Sequence, residues 1–366
     1  MAFDPLYTVN PDIIRSISRI EISRHDMGGL PITTEMIASL RESARLLSTH
    51  HSTAIEGNLL SPLEVNEVIK GGGHFPHREK DEGEVRNYYK ALEHIEKMAA
   101  QKQPIKENDL KLLHGIAFMG KNKPTSYRDG QNVIRNGKLV VYIPPKADDV
   151  PLLMTNLVEW IQKSVQQNLP VPFIAALAHY QFATIHPYYD GNGRTARLLA
   201  TLILHKYGYD LKGIYCLEEY YAKNLQGYYR ALTVGGDEDY YEGARAVADL
   251  TGFLEYFMQG MAESFDKVCR QAKIASDNDE LDQSTQLRNL NPKQRQVLQL
   301  FLTSREITSK NIAGFFKYSE RQARYLCQKW VSDGFLEVAD AALKSRRYRL
   351  RKDYEELVKK QDNSLS

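Results

Sequence analysis

The 366-residue chain carries 48 Lys and Arg against 46 Asp and Glu, a formal net charge of +2, with 42% hydrophobic and 26% charged residues. These proportions exclude a wholly disordered chain, which needs low hydrophobicity and high net charge. A bilayer-crossing helix takes about 20 apolar residues. The richest run, Leu198 to Leu204, is too short and lies between Arg197 and the pair His205–Lys206, so no membrane partner is expected.

At about 150 residues per domain the length suggests two or three units. Residues 1–12 hold an early Asp4 and no basic-then-apolar pattern, so no signal peptide is expected there. Cys216, Cys269 and Cys327 lie more than 50 residues apart. They suit neither a disulfide framework nor a clustered zinc site, and a reducing cytoplasm is the simplest home.

In chain order, the first 30 residues read as an irregular arm with short helical pieces. From Thr33, Met36, Ile37, Leu40, Ala44 and Leu47 recur at helical spacing, with Thr33 or Thr34 as N-cap. That helix runs into residues 52–58, where Gly57 and Asn58 offer a left-handed stop. Ser61 and Pro62 start the next helix as cap and first helical residue, and Gly71 to Gly73 break the chain. Polar helices are expected over Glu79 to Ala100 and Glu107 to Met119. Residues 133–142 place β-prone runs around Asn136-Gly137, a strong hairpin signal, ended by Pro144 and Pro145. Helical spacing returns near Asp149. Residues 173–185 are nearly all apolar and mark a buried helix, and another apolar helix follows to about Tyr207.

The densest information lies in His186-Pro187-Tyr188-Tyr189-Asp190-Gly191-Asn192-Gly193-Arg194-Thr195-Ala196-Arg197. Proline disfavours helix in the residue before it, so the buried helix ends at His186. The glycines permit positive φ, letting successive amides curl into an anion-binding nest. A helix beginning there adds free N–H groups and the positive end of its dipole. Arg194 and Arg197 share a face of its first turns and suit phosphate oxygens, while Asp190 offers a hard oxygen for Mg²⁺. His186 has the side chain best suited to act as a base near neutral pH.

This stretch resembles the Fic motif, His-x-Phe-x-Asp/Glu-Gly-Asn-Gly-Arg-x-x-Arg, with Tyr188 in place of Phe. The resemblance extends over roughly residues 35–260. It implies an all-α Fic-type helical core with a small β-hairpin flap, and transfer of AMP from ATP to a Ser, Thr or Tyr hydroxyl of a target protein. It implies His186 as general base, Asp190 as the Mg²⁺ ligand, and the amides of Gly191 to Gly193 with the Asn192 side chain as the phosphate cradle. Arg194 and Arg197 would bind the β- and γ-phosphates, with Thr195 and Ala196 inside the same nucleotide-binding stretch. The 133–143 hairpin resembles the flap that aligns the target by strand addition. Val141 and Tyr142 are the nucleotide contacts there, and Tyr228 lines the adenine pocket, with Tyr229 or Asn224 as alternatives. Phosphorylating Doc-type relatives carry Lys at the position of Gly193, so glycine favours AMP transfer. The motif does not set the base, which leaves other nucleotides or phosphocholine as donors.

Ser52-x-x-x-Glu56-Gly57 resembles the family's inhibitory motif in the class with an N-terminal inhibitory helix. Glu56 would pair with Arg197 and take the γ-phosphate's partner, making Glu56 part of both the nucleotide site and the brake. In some relatives the equivalent glutamate also supports removal of AMP, and relatives are often dimers.

Residues 277–286 read as a linker, giving three regions: 1–110 with the inhibitory motif, 111–285 as the catalytic core, and 286–366. Residues 286–351 hold 14 Lys and Arg against 5 Asp and Glu, leaving 34 against 41 elsewhere. A module of +9 is thus joined to a body of −7. Helices are expected over 290–302, 307–316 and 318–336, the last capped by Ser319 and stopped by Gly334, then a basic strand over 344–350. The order resembles a winged helix-turn-helix, with Arg321, Gln322 and Arg324 toward a DNA groove and Arg346 and Arg347 on its backbone. The alternative function is a DNA-binding regulator or toxin–antitoxin component that uses this module, with another nucleotide or phosphate donor.

Overall fold

The nearly all-apolar stretch becomes the middle of a helical bundle. The computed structural model describes residues 3–29, 34–234, 239–241, 245–279, 290–301, 304–316, 318–340 and 346–359. It divides into two units, Met1–Ile274 and Ala275–Ser366. In the first, α1 (Pro11–Gly29), α2 (Thr34–Ile55), α3 (Pro62–Asn66), α4 (Glu79–Ala99) and α5 (Glu107–Met119) precede a hairpin of β1 (Ile134–Asn136) and β2 (Leu139–Tyr142). Then come α6 (Val150–Gln166), α7 (Val171–Ile185), α8 (Asn192–Lys206), α9 (Glu218–Lys223), α10 (Leu225–Leu232) and α11 (Thr251–Asp279). Helix α7 is buried on nearly every side and packs on α8, which meets α4 and α5 in turn. A helix apolar all round can only be stable in such a place.

The N-terminal arm is a correction. Residues 11–29 form one continuous helix because Asn10 Oδ1 caps it, accepting from the amides of Asp12 and Ile13 at 3.0 Å. Ile13, Ser16, Ile20, Ser23 and Met27 alternate three and four apart and are buried. Ile14 and Ile22 on the solvent side hide that period from a sequence reading.

Helix α2 also departs from expectation. Ala44 is buried, but Leu47 faces solvent, and the inward face is made of Ser48, Thr49, Ser52 and Thr53. Thr49 and Thr53 return their hydroxyl protons to the carbonyls of Arg45 and Thr49, which leaves a slim, polar-capable face rather than an apolar one. Thr33 and the side chains of Thr34 and Met36 lie outside the described residues. Gly57 ends the helix region at φ 93°. Ser61 and Glu64 form a reciprocal capping box at α3.

The hairpin turn is displaced by one residue: Asn136 pairs with Leu139, so Gly137 and Lys138 form the loop. Only Gly137 of these two has positive φ, 62°, which is the requirement of a type II′ turn. Helix α4, read as polar, buries Val85, Tyr88, Ala91, Leu92, Ile95 and Met98 along one stripe.

The second unit holds α12 (Pro292–Phe301), β3 (Ile307–Thr308), α13 (Ser309–Phe316), α14 (Glu320–Ser332), β4 (Leu336–Asp340), β5 (Arg347–Leu350) and α15 (Lys352–Lys359). Its antiparallel sheet runs β3-β5-β4. Trp330, Phe335, Val297, Ile312 and Tyr348 share its core. Ser319 caps α14 and Gly334 (φ 73°) stops it, both as expected, and the chain from Leu336 runs as strand. β3, β4 and α15 were not anticipated, and residues 344–345 of the expected strand lie outside the described residues. Among the described residues, no helix is long and apolar enough to cross a membrane.

If α1 is an integral layer, Ile20→Ala should cost about 2–5 kcal/mol of stability. Ile22→Ala, at a position 60% exposed, should cost under about 0.5 kcal/mol. Chemical denaturation of both variants checks this; equal small losses would contradict it.

Candidate functional site

The site begins where α7 ends. His186 adopts a left-handed conformation (φ 52°, ψ 58°), a geometry non-glycine residues hold only when their surroundings enforce it. Arg128 does so. It is 3% exposed, and its Nε donates to the His186 carbonyl at 3.0 Å. Its amide donates to the Pro187 carbonyl at 3.0 Å, and its guanidinium also donates to the carbonyls of Gly130 and Pro145. One buried side chain thus ties the motif to the segment carrying the hairpin. The His186 ring has its Nδ1 3.3 Å from the Ala183 carbonyl. Burial, aided by the charge of Arg128, lowers its pKa to about 4, so the imidazole is neutral at physiological pH.

The loop is held from inside. Asn192 Oδ1 accepts from the Tyr188 amide at 2.9 Å and its Nδ2 donates to the Tyr188 carbonyl at 2.8 Å. Its side chain therefore braces the loop. Thr195 and Ala196 also turn their side chains inward. The Thr195 hydroxyl donates to the Gly191 carbonyl at 2.8 Å, and Ala196 is fully buried in the core. Tyr188 stacks on His114 with ring centroids 3.6 Å apart, so the aromatic anchor is kept. His114 Nε2 reaches the Asp190 carbonyl at 2.9 Å. Gly191 (φ 77°) caps α8, and a side chain there would press on Phe118 and His114.

The charged groups converge above this floor. The Asp190 side chain is 61% exposed, with Oδ1 accepting from the Gly191 amide at 2.5 Å. Arg194 is 2% exposed, lies over the Phe118 ring, and has Nη1 3.5 Å from Glu84 Oε1. Its Nε finds no acceptor among the described residues. Arg197, equally buried, donates from Nε to Ser52 Oγ at 2.8 Å, and from Nη2 to the Ser52 carbonyl at 2.9 Å and to Glu56 Oε1 at 2.8 Å. Burial opposes the Arg197 charge, yet Glu56, with Tyr228 and Tyr88, outweighs it and the net shift is upward. A Cβ on Gly193 would collide with Glu56 Oε1. The Glu56 carboxylate therefore sits directly above the N-terminal turn of α8.

The remaining expected residues are placed differently. Tyr142 is buried, its hydroxyl donating to the Thr184 carbonyl at 2.8 Å beneath the Arg245 guanidinium. Its ring docks the hairpin onto α7, while Val141 is half-buried. Tyr228 is buried too, bonded to His179 at 2.9 Å and stacked on Tyr221. Tyr229 is 48% exposed, with its hydroxyl donating to the Ile55 carbonyl at 3.3 Å. Asn224 accepts from the Gly227 amide and caps α10. Arg128, His114 and Glu84 escaped the sequence reading, since their partners His186, Asp190 and Arg194 lie 58, 76 and 110 positions away; the Tyr127-Arg128-Asp129-Gly130 turn ahead of the hairpin was the one available signal.

Comparison with known proteins agrees with this geometry. Residues 104–204 match the Fic/DOC family model. Over this span the chain is similar to Fic/DOC domains. The protein adenylyltransferases Fic of Drosophila willistoni and Drosophila melanogaster are 26% and 27% identical over 239 residues, 65% of this chain and 46% of each relative. The chain thus matches less than half the length of these relatives. A Fic family protein from Desulfovibrio desulfuricans has the same fold, with a TM-score of 0.61, 24% identity, and coverage of 96% of this chain and 99% of that one. A Fic domain-containing signaling protein from Bacteroides thetaiotaomicron gives 0.60 at 25% identity, over 72% of this chain and 98% of the other.

With its pKa depressed, the His186 ring should stay neutral from pH 8 down to about 5 and gain a proton only on further acidification. NMR titration of its ring protons checks this. A midpoint at or above 6.5, the unperturbed value, would contradict the burial described above.

Proposed function

We propose that the chain is a protein adenylyltransferase held in check by Glu56. The observation that carries this reading is the shared address of three charges. The Arg194 Nε is a buried donor with no acceptor among the described residues, Arg197 is buried beside it, and Glu56 is the one carboxylate bonded to Arg197. Such a pair of guanidinium groups at a helix N-terminus suits a triphosphate, and Glu56 occupies the place its last phosphate would take.

With Glu56 withdrawn, ATP would lay its phosphates over the amides of residues 191–193 and onto Arg194 and Arg197. His186, neutral and at the rim, would accept the proton of a target hydroxyl as that oxygen attacks the α-phosphorus. The bond from the α-phosphorus to the bridging oxygen breaks and pyrophosphate leaves, its charge stabilised by the arginines. Among the described residues no group of three His, Cys, Asp or Glu gathers to hold a metal. A Mg²⁺ that arrives with nucleotide needs only one or two carboxylates, and exposed Asp190 fits that demand. The metal would add charge neutralisation at the phosphates. Gly193 leaves room beside Arg197 for the phosphates. Because Tyr228 faces the core, Tyr229 is the better candidate for the adenine contact. The β1–β2 hairpin, tied to the motif through Arg128 and Tyr142, offers a free strand edge to a target segment.

We read the second unit as a winged helix that serves protein contacts. Gln322 is used in the Ser319 capping box, Arg324 pairs with Glu320 at 2.7 Å, Arg347 with Glu306 at 3.3 Å and Arg349 with Glu337. Three of the 14 basic side chains of residues 286–351, two of them in the expected DNA-facing set, thus have local acidic partners, which favours the enzyme over a DNA-binding regulator.

Incubation with ATP labelled at the α-phosphate, Mg²⁺ and cell extract tests the reading. Glu56→Gly should label itself and extract proteins more than wild type does. His186→Ala in that background should lose ~10²–10⁴-fold, the usual contribution of a general base. Label arriving from the γ-phosphate instead would show phosphorylation, and equal labelling by wild type and Glu56→Gly would sink the brake.

A further inference from the structure

Glu218 is a buried carboxylate to which neither the motif nor the chemistry above gives a task. It is 3% exposed at the start of α9, and its Oε1 accepts from the Tyr88 hydroxyl at 3.0 Å. Tyr88 is fully buried, and the Ser52 side chain acts on its hydroxyl, opposing the upward pKa shift that burial and Glu218 impose. Ser52 Oγ, itself fully buried, accepts from Arg197 Nε at 2.8 Å.

Only one proton order satisfies this row. The Arg197 Nε–H can only donate, and Glu218 Oε1 accepts from the Tyr88 hydroxyl. Ser52 takes the Arg197 proton on one lone pair, so its own proton goes to the Tyr88 oxygen, and the Tyr88 proton goes to Glu218. A cation stands at one end of a buried, unidirectional chain and an anion at the other. Chains of this kind strengthen because each bond polarises the next, and the low dielectric around them raises the cost of removing an end.

We propose that Glu218 is a positioning residue for Arg197, a permanent counter-charge acting through Tyr88 and Ser52 that keeps the guanidinium charged and aimed once Glu56 withdraws. Arg197 divides its donors accordingly: Nε faces the fixed chain, while Nη2 is shared between the Ser52 carbonyl and Glu56. Ser52 then does more than belong to the inhibitory segment, since it links the arginine to a charge on another helix. The aiming of Arg197 for nucleotide rests on the adenylyltransferase reading, whereas the bonds from Tyr88 to Glu218 and from Arg197 to Ser52 do not.

The test is a double-mutant cycle in the full chain, with Glu218→Gln, which keeps shape and hydrogen bonding but removes the charge, combined with Glu56→Gly. Losing both counter-charges strands Arg197, so the double variant should melt below the sum of the single shifts by about 3 °C or more. Additive shifts would overturn the proposal. In the Glu56→Gly background, Glu218→Gln should lower kcat/KM for ATP about tenfold with KM for ATP raised, because Arg197 holds phosphate in the bound state and steadies the leaving pyrophosphate. A fall in kcat with no change in KM would also overturn it. Tyr88→Phe cuts the chain while keeping the ring, and it should give the same non-additivity; it replaces Glu218→Gln if that variant does not fold. Non-additive melting without AMP transfer in any variant would leave the counter-charge standing and remove the adenylyltransferase reading instead.

Discussion

A guanidinium buried to 2% exposure is costly to leave without acceptors, and the region around Arg197 is organised to supply them. Desolvating a charge costs several kcal/mol unless it is paired and hydrogen-bonded. Ser52 on α2 and Glu56 in the turn just past its end supply the acceptors from their side chains and the Ser52 carbonyl. The same need explains why α2 presents Ser48, Thr49, Ser52 and Thr53 inward. Small hydroxyl residues let the helix come close to α8, where leucines would hold it off. Gly193 completes the arrangement by leaving room for the Glu56 carboxylate.

That demand also makes the contact exchangeable. A pair between Arg197 and an internal carboxylate satisfies the arginine well, yet the Glu56 side chain retains 27% exposure, so a phosphate arriving from solvent can compete for the same donor. Around it the loop is rigid. Arg128 holds the left-handed His186, Asn192 brackets the Tyr188 peptide, and His114 fixes the Asp190 carbonyl beneath a stacked Tyr188. Fixed groups around one replaceable carboxylate are what a reversible brake requires.

The stretch 186–197 was legible because proline, glycines and paired arginines each impose local geometry that needs no distant partner. The buried α7 and the capping boxes at Ser61 and Ser319 were legible for the same reason. Helix α1 was not, since Ile14 and Ile22 on the wet side mask its period. The side-chain placements of Asn192, Thr195, Ala196 and Tyr228 were not legible because a motif names positions without saying which way each side chain turns. Asn192 and Thr195 turn inward to hold backbone, and Ala196 and Tyr228 fill core. The hairpin turn slipped by one because Asn136-Gly137 and Gly137-Lys138 are both acceptable two-residue loops, and register is decided by the pairing of Asn136 with Leu139. Arg128, Glu84 and Glu218 are single charged residues whose importance lies in burial, which spacing cannot reveal.

The central claim is that Glu56 and the last phosphate of ATP compete for Arg197. Calorimetric titration of the full chain and its Glu56→Gly variant with ATP and with AMP, in Mg²⁺, tests this most directly. Loss of Glu56 should tighten ATP about tenfold or more, equivalent to about 1.4 kcal/mol, and leave AMP unchanged, since AMP has no phosphate that reaches Arg197. An unchanged affinity for ATP, or equal gains for ATP and AMP, would contradict the account.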